Sequence, residues 1–228
     1  MKNPISIFIL LNFFTITVFP QTIPNPNFAL KSHETLEITK VGMTPEKTTI
    51  SLRIENRIEG GNFCADKNIS IIYPDGNRIR LLKADGIPAC PDNYKFKSIG
   101  EKLDFSLIFP PLKPGTEWID IIEECTANCF WFYGITLNND LNRRLDEAFA
   151  AAAKGKPQDN ILLFRNILES IDNQDIGIEG SLYINIINAA IEAGDQIEPS
   201  VWYKRLLSSK CPRLSQYVKF LNDRGIKY

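Results

Sequence analysis

Histidine is almost missing from this chain: His33 is the single one among 228 residues. A histidine-rich zinc site is excluded, and so is a triad whose base lies deep in the fold. Charge of one sign is missing as well. The 26 basic and 27 acidic side chains leave a formal net charge of −1. No global basic field exists to hold nucleic acid, so that class of partner is excluded. No apolar run reaches the ~20 residues needed to span a bilayer. What remains is 44% hydrophobic and 23% charged residues, enough for an ordinary globular core.

The first residues read as an address. Lys2 gives a short positive start, and Ile5 to Phe19 then holds 11 apolar residues in 15. That is the apolar core of a secretory signal peptide, with removal expected at about residues 20–22. Val18 to Thr22 offers no small-x-small cleavage site, so an uncleaved anchor and a buried first strand are the alternatives. Export implies a periplasmic or extracellular location, with no integral membrane segment left after cleavage.

Two periodicities divide the remainder. The two prolines and two asparagines of Thr22–Asn27 predict an extended linker. Strand patterns begin near Thr35. Ile50, Leu52 and Ile54 alternate with Thr49, Ser51 and Arg53. Pro74-Asp-Gly-Asn77 is a strong turn between Ile69–Tyr73 and Arg78–Leu82. Leu103, Phe105, Leu107 and Phe109 form another alternating set, ended by Pro110 and Pro111. Trp118–Ile122 and Phe130–Ile135 make a last pair. Seven or eight short strands are therefore expected, as in an antiparallel, Ig-like β-sandwich. The period then becomes helical. Leu141 to Ala152, Ile161 to Ile171, Leu182 to Ala193, and Trp202 to Leu207 give four stripes, with a short fifth after Pro212. Short breaks between them predict antiparallel hairpins. The expected division is a signal peptide at 1–22, a linker at 23–33, a β-sandwich at 34–137 and a helical domain at 138–228.

Residues 138–210 resemble tetratricopeptide repeats. Gly155 and Gly194 stand where paired helices meet, Phe164 and Tyr203 at the aromatic position of the second helix, and Ala148 at a small position of the first. Asn160 and Pro199 replace the expected alanine, and the two glycines lie 39 residues apart, against a repeat of ~34. The similarity thus implies hairpin architecture more than membership. The β part resembles a sandwich domain of secreted proteins from Bacteroidetes-type bacteria, through Ile71–Leu82, Ala84–Pro88, Phe105–Leu112 and Trp118–Glu123. That resemblance implies a fold and an exported location, and it implies no activity.

The chemistry-bearing residues are few. Cys125-Thr-Ala-Asn-Cys129 has three residues between its thiols, where thiol-exchange enzymes have two at a helix start. A disulfide clipping a hairpin is the plainer reading. Cys64 and Cys90 are the other pair expected to bond, although five cysteines permit other pairings. Cys211 is then a spare, partly buried thiol. Asp120, Glu123 and Glu124 sit near one strand end, where a solvated edge is expected. Asp75, Asn77 and Asp85 lack the spacing of a calcium loop. The seven basic residues between Lys204 and Lys227 read as a solvated outer face.

Trp131, Phe132 and Tyr133 must divide between the two faces of a strand. No residue is singled out as catalytic, cofactor-binding or metal-ligating. The reading is a non-catalytic exported binding or scaffold protein, engaging a protein or peptide of the cell envelope through the helical hairpins. Trp131, Tyr133, Trp202 and Tyr203 are the candidate contacts. A carbohydrate-associated module using the sandwich aromatics is the alternative, and an enzyme of unrecognised class is the third. Two acids of raised pKa converging in a polar pocket would count against the non-catalytic reading.

Overall fold

The structure is a computed structural model that describes residues 20–171 and 175–228. The proposed signal core, Ile5–Phe19, lies outside the described residues. Among the described residues twelve strands precede five helices, a mixed fold in two parts. One five-stranded sheet contains β1 (Gln21–Pro24), β3 (Leu36–Met43), β4 (Thr48–Glu55), β10 (Lys102–Phe109) and β8 (Lys83–Asp85), in that spatial order. The other contains β2 (Leu30–Lys31), β12 (Trp131–Thr136), β11 (Trp118–Glu123), β6 (Ile69–Ile72) and β7 (Arg78–Arg80). A small third sheet joins β5 (Asn62–Phe63) to β9 (Tyr94–Lys95). All the strand pairs within these sheets are antiparallel.

The alternation read from the sequence becomes one shared core. Ile50, Leu52 and Ile54 of β4 pair with Leu107, Phe105 and Leu103 of β10, all buried. They meet Ile69, Ile71, Ile119, Ile121, Phe130 and Phe132 from the opposite sheet. Burial of a side chain of this size stabilises by about 1.5–3 kcal/mol.

Two short strands lie where no regular element was expected: β1 straddles the end of the expected signal peptide and the start of the linker, and β2 lies within the linker. Thr22, Ile23 and Pro24 belong to β1, which pairs with β3 and buries Ile23 opposite Val41. The prolines hid this strand. Pro24 costs no ladder bond on the open side of an edge strand. Leu30 and Lys31 form β2, the matching edge of the second sheet.

Both expected disulfides are present. Cys64 and Cys90 have Cα atoms 5.3 Å apart, and Cys125 and Cys129 have theirs 5.5 Å apart. The first pair ties the segments beside β5 and β9, and the second closes the link from β11 to β12. Such bonds persist in oxidising compartments. Among the described residues no helix is long and apolar enough to cross a membrane.

The helices are α1 (Asn139–Ala152), α2 (Pro157–Ser170), α3 (Glu179–Glu192), α4 (Glu198–Ser208) and α5 (Leu214–Asp223). The Asn138 side chain caps α1 by accepting the Leu141 N–H at 3.0 Å. Pro157 and Pro199 stand in first turns, where no N–H is required. Leu145, Ile167, Leu182, Ile186, Leu206 and Leu221 build a second core from all five helices. Ala29 and Leu30 join that core from the β part, so the two parts are packed together.

Strand β11 shows how they meet. Its residues are buried on both faces apart from half-buried Ile122. Ile119 and Ile121 point into the core between the sheets, while Trp118 and Asp120 face the helices. The Trp118 indole donates to the Asp175 carbonyl at 3.0 Å. Asn142 of α1 ties the same seam, donating to the Thr136 carbonyl at 2.9 Å and accepting the Asn27 N–H at 2.7 Å.

Candidate functional site

The acids at the end of β11 are not a solvated edge. Asp120 and Glu123 are buried, and only Glu124 is exposed, beside Arg78. The reason is a β-bulge. Between the pairs Ile119–Ile135 and Ile121–Phe132, Asp120 alone faces both Tyr133 and Gly134. The bulge frees the Gly134 N–H, and the Asp120 carboxylate accepts it at 2.8 Å. Asp120 also holds the Arg213 guanidinium, delivered by a residue with φ of 62° just before α5. Burial nevertheless raises the Asp120 carboxyl above its usual range. Glu123 secures the backbone instead. Its two oxygens accept the Asp66 N–H at 2.7 Å and the Phe130 N–H at 2.9 Å. Both acids are accounted for structurally.

Trp131 and Tyr133 do face away from the sandwich core, with Phe132 inside. They stack on each other with centroids 4.4 Å apart, and both pack half-buried against the helical core. Arg213 lies 5.4 Å from the Tyr133 ring centre. Beside them the seam opens into a cavity of about 670 Å³, lined by Tyr73, Trp118, Tyr133 and Arg213. Tyr203 is buried, its hydroxyl bonded to Asn222 at 3.1 Å and its ring against Tyr228. It is a core residue of the helical part.

Trp202 lies elsewhere. Its ring forms part of the wall of a cavity of about 1090 Å³ between the ends of α2 and α4 and the start of α3. Tyr183 stands against it, with centroids 6.1 Å apart and planes at 55°. The Trp202 indole donates to Glu198 at 2.5 Å, and the Arg205 guanidinium lies 4.5 Å from the ring centre. Glu169, Asp175, Glu179, Ser208, Ser209, Lys210 and Cys211 add polar groups to the lining.

None of Asp175, Glu179 and Tyr183 is singled out by the sequence pattern. Glu179 opens α3, and an acid there reads as a helix-start residue. The neighbouring glycines were the available signal. Gly177 and Gly180 let Trp118 and Tyr217 close over this turn, since a Cβ would meet them at 2.5 Å and 2.1 Å. An acid on so tightly covered a turn cannot be fully in water.

Glu179 is 8% exposed, and burial raises its carboxyl above the usual range. One oxygen, Oε1, accepts the Ile176 N–H at 2.7 Å. The Asp175 carboxyl is raised too, by burial, against a stabilising Gly177 N–H. Cys211 is a free thiol, half-buried, bonded to Ser209 Oγ at 3.1 Å, with burial pushing its pKa up. A protonated thiol is a weak nucleophile.

Comparison with protein-family models, with curated proteins and with solved structures gives no match. Function is therefore read from the geometry of the two cavities.

Proposed function

We propose that this chain is an exported binding protein whose helical part holds a short peptide segment, with the β part as a rigid support. An Ig-like sandwich and tetratricopeptide-like hairpins are the architectures that go with this reading. The observation that carries it is the cavity of about 1090 Å³, with aromatic walls from Tyr183 and Trp202 and a few converging polar groups. Pockets of that size and lining accommodate several residues of an extended peptide. The sandwich aromatics favour a sugar less well, because Trp131 and Tyr133 are stacked on each other and half-covered by helices.

A second reading has one specific observation behind it. Asp175 and Glu179 place two carboxyls of raised pKa in one cavity, which is the raw material of carboxylate-only hydrolysis. Both carboxyls already accept backbone N–H groups around the same turn, which explains their positions without a reaction.

Peptide and glycan arrays probed with the whole mature protein test the choice. Peptide capture, with nuclear magnetic resonance shifts at Tyr183 and Trp202, is the expected result. Glycan capture with shifts at Trp131 and Tyr133 would replace it by the sugar reading. Turnover of an aryl glycoside, lost in Glu179→Gln, would replace it by the enzymatic one. Export is checked by mass spectrometry of the envelope-fraction protein. Its chain is expected to begin near Gln21, and an intact Met1 would sink the cleaved signal.

A further inference from the structure

Glu179 has a second carboxylate oxygen, and no side chain among the described residues pairs with it. Oε2 is buried without a hydrogen-bond partner. An unsatisfied buried polar atom is destabilising, and more so when it carries charge, so native structures seldom leave one without a reason. Bonding of the Ile176 N–H to Oε1 explains the turn before α3 and leaves Oε2 unexplained.

No counter-charge comes from the described residues. Among the described residues neither Glu179 nor Asp175 has a cation within ion-pair distance. The intervening Asp172, Asn173 and Gln174 carry no base. Arg213 is turned to Asp120, and Arg205 lies on the Trp202 ring. Arg205 and Lys210, the basic residues lining the cavity, are exposed, and water already solvates them. The buried charge-bearing group is the acid, and it decides which ligand sign gains most from entering. The aromatic wall agrees. Trp202 already carries one guanidinium on its face, and Tyr183 stands next to it.

We propose that this cavity recognises the ammonium or guanidinium group of a lysine or arginine side chain in the bound peptide, with Glu179 as its counter-charge and Tyr183 and Trp202 as its walls. The proposal rests on the peptide-binding reading above. The stem of such a side chain lies along the rings, and its head pairs with the Glu179 carboxylate. The recognition strengthens with pH, because the carboxyl must lose its proton to pair with the cation. The groups that face Glu179 are Asp175 on the preceding loop, Tyr183 on α3, Cys211 on the link between α4 and α5, and Tyr217 on α5. The two tyrosines and the thiol are all raised by burial, while Asp175, and Glu169 of α2 on the cavity wall, are the other carboxyls of this cavity.

The test uses the whole mature protein and four blocked pentapeptides, acetyl-Gly-Gly-Xaa-Gly-Gly-amide, with lysine, arginine, norleucine or glutamate at Xaa. Binding is read from resonance shifts of cavity residues. Lysine and arginine are expected to bind roughly tenfold tighter than norleucine or more, the worth of one charge-assisted bond. Glu179→Gln keeps an oxygen for Ile176 and should bring lysine to the level of norleucine. Lowering the pH from 7 toward 5 should shrink the lysine advantage. Equal binding of lysine and norleucine by the unmodified protein would overturn the inference and leave the peptide-binding reading standing. Tightest binding of the glutamate peptide would do the same. Absence of shifts with all four would overturn both. If Glu179→Gln fails to fold, the lysine–norleucine ratio and its pH course in the unmodified protein decide the matter.

Discussion

A Cβ on Gly134 would lie 2.0 Å from the carbonyl oxygen of Gly177. The bulged strand β12 and the loop before α3 touch backbone to backbone at that point. Gly134 also has φ of 62°, a conformation that costs a side-chain-bearing residue about 1–2 kcal/mol by itself.

Gly134→Ala is therefore expected to lose more than that strain alone. Gly76 is the control: its φ is 79°, and a Cβ there would meet nothing within 4 Å. Urea unfolding of both variants gives the comparison. Equal losses would mean that the Gly177 loop yields, and that the close approach contributes nothing to the docking of the two parts.

Stability should fall as pH rises through the range just above the ordinary carboxylate value of about 4. Asp120, Glu123, Asp175 and Glu179 all have carboxyls raised by burial. In that window the native state binds more protons than the unfolded chain, so the slope of stability against pH is negative. Asp75, Glu101 and Asp195 are lowered by hydrogen bonds, and their opposite effect falls below the window. Urea midpoints between pH 4.5 and 7.5 measure the slope in a His33→Gln background, because burial lowers the His33 pKa and its own contribution rises with pH in this range, and Glu179→Gln should flatten it. A profile that climbs toward neutrality would contradict the burial of these groups.

Most of the architecture was legible because single-face burial leaves a periodic trace. Ile50, Leu52 and Ile54, the Pro74–Asn77 turn, the five helical stripes and the cysteine pairs all carry their own local signal. The two edge strands were not legible, since Pro24 reads as a breaker until a neighbouring strand is known. Nor was the fate of the carboxylates. Asp120 alternates as an outward residue should, and outward here means under the helices. The cavity at Glu179 is built by Leu168, Tyr183 and Trp202 from three helices. No one segment encodes it.

The two disulfides should differ in worth. Cys64 and Cys90 are 26 positions apart, and Cys125 and Cys129 only 4. The chain-entropy account gives about 3.5 kcal/mol for the longer loop and about 2 kcal/mol for the shorter. Paired Cys→Ser substitutions at each bridge, followed by urea unfolding, are expected to keep that order. A larger loss at the short bridge would point to native-state contacts at the hairpin tip instead.

Because β11 has no side turned to water, the sheet that contains it serves as an inner wall for two cores at once. A boundary drawn at residue 137 separates two sequence patterns that share a packed seam. Neither half inherits a finished surface. The β part alone would present Trp118, Tyr133 and the uncompensated Asp120 to solvent, and the helical part alone would lose the face on which Gly177 rests. Melting, refolding and degradation should therefore treat the chain as a single foldon, and domain shuffling would have to move both halves together.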